Sequence, residues 1–236
     1  MIVRATGDSL LLIRQPDHAA LARTVMERWA AGDLARSPRR DSILLAVGQH
    51  DNGWHAPDTA PLVLPDGAVA DFISAPLEVR RGVWPRGAAS LANDPWAAAL
   101  VAQHAVFVFS RFEGDPDWAP FFSQMTDLRE RYRSLAGLPF DALEQDYDYV
   151  RLGDLISLAF CNRWTDEQNH AGYAITGDGT HLAIQPDPFA GATIPLEIAA
   201  RCLPNRRYAD AADARQAWEG ARAVTVIGSV SGARPT

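Results

Sequence analysis

Five residues of the types that bind metal ions stand out between positions 18 and 154 of the chain. In order they are His18, the adjacent pair His50 and Asp51, then His104 and Asp154. Imidazole nitrogens and carboxylate oxygens suit divalent cations such as Mn, Fe, Zn, Ni, Co or Mg. Apart from the adjacent pair, each lies on a separate predicted helix, and helix bundles build metal sites from ligands on facing helices. The sequence therefore predicts a divalent-metal site that contains all five residues.

The His50–Asp51 pair follows an apolar helical run at residues 43–47. Val47 precedes the pair by about one helical turn, so at least one of the two side chains is directed as Val47 is. Gly53 then ends the helix, because glycine takes the left-handed conformation at little cost. The alternative is that His50 only caps the helix and complements its negative end. We favour a ligand role for the pair, in which Asp51 also bridges to a second ion or orients a water.

His104 and Asp154 both lie on the apolar stripes of their predicted helices. For His104 the alternative is a core histidine whose ring nitrogens are satisfied by hydrogen bonds. An isolated buried carboxylate is costly, so Asp154 must be paired, hydrogen-bonded or metal-bound. The competing partner of Asp154 is an arginine, either Arg151 or Arg163. His18 carries no signal alone and becomes informative only beside the other four residues.

The elements that must position these residues are mostly helices. Gln15-Pro16-Asp17 predicts a helix start, since proline is tolerated in the first turn and an acid suits the positive end of the helix dipole. Asp94 is the predicted N-cap of the clearest helix. Pro85 is expected to separate two helices. Two further amphipathic helices are predicted at residues 118–135 and 140–164.

Extended segments flank this helical region. The first 13 residues read as a β-hairpin, and residues 171–189 read as strand, Gly-Asp-Gly turn and strand. A short helix near residues 210–220 precedes a closing strand. We predict one α+β domain over residues 1–236, mostly α. Its helical core spans about 15–166, and a small sheet joins the N-terminal hairpin (1–13) to C-terminal strands within 170–236.

The composition and charge of the chain narrow the classes of function that it can have. The chain has 236 residues, a formal net charge of −7 and a pI near 5.3, which argues against a nucleic-acid partner because phosphate binding needs a basic face. Two cysteines form no recognisable disulfide or metal motif. We find neither a signal peptide nor an apolar run that could cross a membrane, and therefore expect a cytoplasmic protein. A homo-oligomer is left open.

The order His18, His50-Asp51, Asp154 resembles the HD superfamily of metal-dependent phosphohydrolases. The stretch "LGDLISLA" around Asp154 is similar to the helix that carries the family's last aspartate, and His104 lies where members with a second metal often add a histidine. The stretches "QPDHAALA", "HDNGW" and "APLEVRRGVW" resemble an uncharacterised bacterial family of unknown function across most of the chain. The terminal β elements depart from the HD core, and the second histidine cluster of cyclic-dinucleotide phosphodiesterases is missing.

The HD resemblance implies a metal-dependent hydrolase of a small phosphate ester or nucleotide. A bound metal would lower the pKa of a water from about 15.7 towards 7 and present it to phosphorus. Asp51 and His104 are the predicted catalytic residues, with His104 as a fifth ligand or a contact to the substrate phosphate. An arginine near the mouth would relieve charge on the leaving oxygen; the candidates are Arg14, Arg80, Arg81 and Arg111.

Two alternative functions would use the same five candidate ligands. HD-like scaffolds also host iron-dependent oxygenases, and a degenerate domain would bind a nucleotide or protein partner without turnover. A serine or cysteine hydrolase is disfavoured, because the chain has no G-x-S-x-G motif and Cys161 lies within an apolar helix.

Overall fold

The computed structural model describes residues 1–233, which form an α+β structure that is 48% helical and 21% strand. The helices are α1 (Gln15–Met26), α2 (Arg40–Gln49), α3 (Leu77–Ser90), α4 (Pro95–Val108), α5 (Ala119–Ala136), α6 (Phe140–Asn162) and α7 (Ala211–Glu219). The strands are β1 (Ile2–Thr6), β2 (Ser9–Ile13), β3 (Gln168–His170), β4 (Tyr173–Gly177), β5 (His181–Gln185), β6 (Thr193–Pro204) and β7 (Arg222–Gly232).

The strands form one curled seven-stranded sheet in the order β1-β2-β6-β7-β5-β4-β3. Neighbouring strands are antiparallel except β5 and β7, which are parallel. The hairpin β1–β2 joins the C-terminal strands through β2, where Leu10 lies opposite Leu203 of β6. The predicted sharing of one sheet by the two ends is confirmed, although the sheet is larger than expected.

Strand β6 is the main element that the sequence patterns missed. Its residues alternate strictly between exposed and buried from Thr193 to Ala200, as expected of a strand with one face on the core. Pro195 disguises this alternation in the sequence, since proline normally argues against a strand interior. In the structure the side chain of Pro195 lies on the exposed face of β6.

The expected break at Pro85 was wrong, because α3 is a single helix from Leu77 to Ser90 with Pro85 inside it. A proline costs a helix one hydrogen bond. Here the lost bond is outweighed by packing: Val83 and Trp84 are buried, and the helix contacts α4, α5 and the 3-10 turn that follows α2. By contrast Asp94 caps α4 as predicted, accepting a hydrogen bond from the Ala97 amide at 3.0 Å.

The helices that carry the candidate ligands pack closely. Gly153 of α6 faces α1 and α2, and a Cβ added there would lie 2.9 Å from Val47 Cγ1 and 3.0 Å from Met26 Cγ. The absence of a side chain at Gly153 therefore lets α6 approach both other helices. This approach places His18, the end of α2 and Asp154 around one point.

The main apolar core extends from the helices into the sheet. It contains Phe160 of α6 together with Ile13, Ile184 and Leu196 of three strands. A smaller cluster lies beneath α7 and includes Leu12, Leu203 and Tyr208. The continuity of the main core agrees with one domain, which stays a prediction. Among residues 1–233, no helix combines the length and the apolar character needed to cross a bilayer.

Candidate metal centre

The fold brings all five predicted ligands together. His18 lies on α1, His50 and Asp51 directly follow α2, and His104 and Asp154 lie on α4 and α6. Every one of them is buried, with the most exposed, Asp51, at 4%. Their ligand atoms form two triads, His18–His50–Asp51 and His50–His104–Asp154, within each of which the atoms lie within 4.8 Å of one another.

The separations between ligand atoms agree with a shared cation. His50 Nε2 lies 3.5 Å from Asp51 Oδ2 and 3.5 Å from Asp154 Oδ1. Ligands at about 2.0–2.2 Å from a metal in tetrahedral or octahedral geometry are about 3–3.6 Å apart. His104 Nε2 is 3.9 Å from Asp154 Oδ2, slightly wider, and His18 Nε2 is 2.7 Å from Asp51 Oδ2, at hydrogen-bond distance.

Two of the histidines are fixed through their Nδ1 atoms. His50 Nδ1 donates to the Val47 carbonyl at 2.7 Å. His18 Nδ1 lies 2.9 Å from Ser157 Oγ, whose own proton is donated to the Asp154 carbonyl at 2.9 Å. The hydroxyl therefore accepts from His18. Such partners set the tautomer and orient the other ring nitrogen towards a metal.

His104 is held in the same way by a tyrosine. Its Nδ1 lies 3.1 Å from the Tyr147 hydroxyl, so its Nε2 is the nitrogen that faces Asp154. The ring centroids of His104 and His18 each lie 4.9 Å from that of His50. Three imidazoles are thus clustered with their Nε2 atoms directed inward.

Several polar atoms at the centre have no partner within the described residues. His50 Nε2, Asp51 Oδ1 and Gln15 Oε1 are buried and make no hydrogen bond there, although Gln15 Nε2 donates to Asp51 Oδ2 at 3.2 Å. An unpaired buried polar atom costs about 1–3 kcal/mol. Three such atoms in one place indicate a site arranged for another group.

The electrostatics favour two anionic carboxylates. Burial by itself raises the pKa of Asp154, but the hydrogen bond and charge of His50 and the charge of Arg151 outweigh it, and the pKa falls below its usual range. The Asp51 pKa is also lowered, since its histidine neighbours outweigh burial. Burial lowers the pKa of His104 to about 3, so that ring is neutral. For His50, burial is outweighed by the two carboxylates, which raise its pKa to about 9.

Asp154 is both paired and part of the cluster. Arg151 Nη1 donates to Asp154 Oδ2 at 2.6 Å, and Arg163 does not take this role. The other oxygen, Oδ1, faces His50. The arginine guanidinium also lies over the Phe107 ring, 5.0 Å from its centroid. The sequence offered an arginine pair and a metal site as alternatives for Asp154, and the structure is compatible with both at once.

A cavity of about 350 Å³ leads to the centre. Its lining includes His18, Asp51, His104 and Asp154, together with Trp54. The other residues that line it are Gln15, Phe72, Ile73, Arg80, Trp84, Phe107, Val108, Phe109, Ser110, Arg111, Arg151, Leu158 and Trp164. Of the four arginines suggested by the sequence, two line the cavity and Arg14 pairs with Asp17 instead.

The sequence interpretation named Arg151 and Asp154 on α6 but missed two supporting residues there, Tyr147 and Ser157. Tyr147, Arg151, Asp154 and Ser157 follow one another at intervals of four, three and three residues, so they share one helix face. Polar residues at that spacing on an otherwise apolar helix were a signal that could have identified them.

Cys161 and two further histidines, His170 and His181, lie outside the centre. Cys161 is buried, and burial raises the pKa of its thiol to about 12. His170 Nε2 lies 3.0 Å from Asp148 Oδ1, and His181 contacts Ser229 on the sheet. The lining of the cavity contains none of these three residues.

Comparison with known proteins gives a family but no activity. The profile of a family described as "Protein of unknown function (DUF3891)" matches residues 1–205. No curated protein and no solved structure matched the chain. The match covers the hairpin, the helices that carry the five candidate ligands and most of the sheet, so the chain belongs to the DUF3891 family.

Proposed function

We propose that the protein is a metal-dependent hydrolase of the HD type that acts on a small phosphate ester or nucleotide. One divalent cation would be held by His18, His50, Asp51, His104 and Asp154. The observation that carries the proposal is His50 Nε2, which is buried without a partner and lies 3.5 Å from an oxygen of each carboxylate.

The residues fit a single cation. Both triads use the same nitrogen of His50, because its Nδ1 is engaged by the Val47 carbonyl. One imidazole nitrogen binds one ion, so the triads describe one site. Two carboxylates and three imidazoles give a mixed oxygen and nitrogen set that suits Mn, Fe, Zn, Ni or Co. A dication would also offset the two buried negative charges, which are otherwise costly.

The HD-like character of the core is part of this proposal. It is supported by the order of the ligands along the chain and by their places on α1, at the end of α2 and on α6. In this interpretation the seven-stranded sheet is an addition to an HD-like helical body. The unpartnered Asp51 Oδ1 supports a role for the adjacent His-Asp pair beyond capping a helix.

The surrounding residues support hydrolysis of a phosphate ester. A divalent cation would supply a water whose pKa is lowered to about 7. Asp51 would accept its proton through the free Oδ1, and neutral His104 would complete the ligand set or contact the phosphate. Arg151, fixed by Asp154, provides a positive charge beside the centre. The cavity of about 350 Å³ falls within the usual range for small ligands, about 300–1,000 Å³.

Elemental analysis tests the site directly. We expect about one transition metal per chain in the purified protein, and loss of that metal in the double variant His50→Ala, Asp51→Ala. His181→Ala is the matched control, since this histidine is hydrogen-bonded to serine hydroxyls on the sheet. Far-UV circular dichroism checks that both variants fold. A native protein that takes up no Mn, Fe, Co, Ni or Zn after incubation contradicts the proposal.

Assays of phosphate-ester hydrolysis distinguish a hydrolase from a non-catalytic binding module. The metal-loaded protein is expected to hydrolyse a chromogenic phosphate mono- or diester, and the double variant is not. A non-catalytic binding module is the second candidate, favoured by the polar pairs His18–Asp51 and Arg151–Asp154, which satisfy part of the network internally. Bound metal without turnover of any phosphate ester would support that candidate, and iron as the native metal would direct the search to oxygen chemistry.

A further inference from the structure

Three arginines near the mouth of the cavity have no acidic partner. Arg80 and Arg81 lie on α3, and Arg111 follows α4. Within residues 1–233 none of the three forms an ion pair with Asp or Glu, whereas Arg129 and Arg151 each do. Adjacent positive charges repel one another, so a cluster without a counter-ion indicates a site for an anion.

An aromatic platform holds these guanidinium groups in place. The rings of Phe112 and Trp118 are stacked, 4.7 Å apart and inclined by 3°. Arg80 and Arg81 lie over Trp118 at 5.5 and 5.3 Å from its ring centroid, and Arg111 lies over Phe112 at 4.8 Å. Cation–π contacts of this kind fix the position of a guanidinium without using its N–H donors.

The donors of the cluster are consequently free. Arg80 Nε and the Nε and Nη2 atoms of Arg81 are buried and make no hydrogen bond to any described residue. The pKa of Arg80 is lowered, first by burial and then by the charges of Arg111 and Arg81. A bound oxyanion would pair with these donors and remove the repulsion, since guanidinium groups bind phosphate and carboxylate through two parallel hydrogen bonds.

The cluster and the metal centre share one cavity. Arg80 and Arg111 both line it. Arg80 precedes Trp84 by one helical turn, and the Trp84 ring lies 5.5 Å from that of His104. Arg111 is exposed while the candidate ligands are buried, so the arginines lie towards the outer end of the cavity. Trp84 and Phe109 give an apolar wall between the two ends.

We propose that Arg80, Arg81 and Arg111 form an oxyanion subsite that binds a negatively charged group of the substrate remote from the bond broken at the metal. This inference rests on the proposed function, because that proposal supplies the hydrolysis at the metal. It narrows the substrate class to organic phosphates with a second anionic group, a phosphate or a carboxylate, separated from the first by an apolar or planar segment.

Anion binding by the metal-free protein tests the subsite separately from the metal chemistry. The full chain, treated with a chelator, is titrated with inorganic phosphate while tryptophan fluorescence is recorded, since Trp118 lies against two of the arginines. The metal centre does not compete for the probe, because two carboxylates without a cation repel phosphate. We expect saturable binding by the native protein.

The variants Arg80→Gln and Arg111→Gln are each expected to raise the Kd for phosphate about tenfold, the effect of losing one charge-assisted hydrogen bond. Arg28→Gln is the matched control, as Arg28 is exposed, follows the end of α1 and does not line the cavity. Arg80→Lys keeps the charge and is expected to weaken binding less than Arg80→Gln. Thermal melting confirms that each variant folds.

Absence of saturable binding, or equal weakening by the Arg28 control, would overturn the subsite. If phosphate binding persists in the double variant His50→Ala, Asp51→Ala while hydrolysis is absent even from the metal-loaded native protein, the subsite stands and the proposed reaction fails. The two proposals can therefore fail independently.

Discussion

At the scale of single residues, the orientation of the candidate ligands depends on neutral hydrogen-bond partners. Ser157 is the most informative of these, because its hydroxyl connects His18 Nδ1 to the Asp154 carbonyl. It touches two ligand residues without being placed to bind the metal itself. Removing it tests whether the arrangement of the centre matters for affinity.

We predict that Ser157→Ala lowers metal affinity about 10- to 100-fold, the usual effect of losing a partner that orients a ligand. Competition with a chromogenic chelator measures this change. Ser229→Ala is the control, since Ser229 also contacts a histidine Nδ1, that of His181, away from the cavity. Equal affinities for native protein and Ser157→Ala would mean that His18 does not bind the metal.

The second prediction at this scale concerns Cys161. Burial raises the pKa of its thiol to about 12, so at pH 8 only about one molecule in ten thousand carries the reactive thiolate. Iodoacetamide at pH 8 should leave Cys161 unmodified in the native protein and label it after denaturation, as read by peptide mass spectrometry. Cys202, which is partly exposed, is the internal comparison. Rapid labelling of Cys161 in the native protein would restore a cysteine hydrolase as an alternative function.

At the scale of elements, the site depends on how closely α6 approaches α1 and α2. Gly153 permits that approach, as an added Cβ would lie 2.9 Å from a methyl of Val47. Val47 also supplies the carbonyl that fixes His50. Helix packing and ligand orientation are therefore coupled through one residue.

We predict that Gly153→Ala lowers the free energy of unfolding by about 1–3 kcal/mol through overpacking, although alanine favours helix by about 1 kcal/mol over glycine. Urea denaturation measures the change. Gly220→Ala is the control, because its added Cβ would meet only the Gln216 carbonyl, at 3.6 Å. A Gly153→Ala protein more stable than the native one would show that the helices can separate at little cost.

At the scale of the whole molecule, the sheet and the helical body are connected by more than the chain. Arg4 of β1 donates to the Cys161 carbonyl near the end of α6 at 2.7 Å. The apolar core includes Phe160 of α6 with Leu196 of β6 and Val230 of β7. Both connections would be lost if either part unfolded alone.

We therefore predict one unfolding transition for residues 1–236, with coincident midpoints by far-UV circular dichroism and tryptophan fluorescence. The metal should shift the whole transition upward, by about 2.7 kcal/mol at a free concentration 100 times its Kd. Calorimetry with and without a chelator measures both effects. Two separate transitions, only one of them sensitive to metal, would contradict the single-domain prediction.

Much of the secondary structure was predictable because its signals are local. Asp94 caps α4, the proline in the first turn marks α1, and the Gly-Asp-Gly turn marks the β4–β5 hairpin. Gly53, expected to end α2 in the left-handed conformation, instead lies within the 3-10 turn Asn52–Trp54 without a positive φ. Two other errors arose where packing outweighed a local preference. Pro85 lies within a continuous helix, and Pro195 lies on the exposed face of β6.

The identities of the candidate ligands were also determined by the sequence, since histidines and carboxylates on apolar helix faces are few. Tertiary structure decided what contacts them. Only the packing of α1, α2, α4 and α6 brings five side chains into two triads and leaves His50 Nε2 without a partner. The sequence likewise offered four equivalent arginines that could relieve charge on the leaving oxygen. Only the fold distinguishes them, since it pairs Arg14 with Asp17 and places Arg80 and Arg111 on the cavity wall. Residue type is fixed locally, but proximity between distant segments depends on how the whole chain packs.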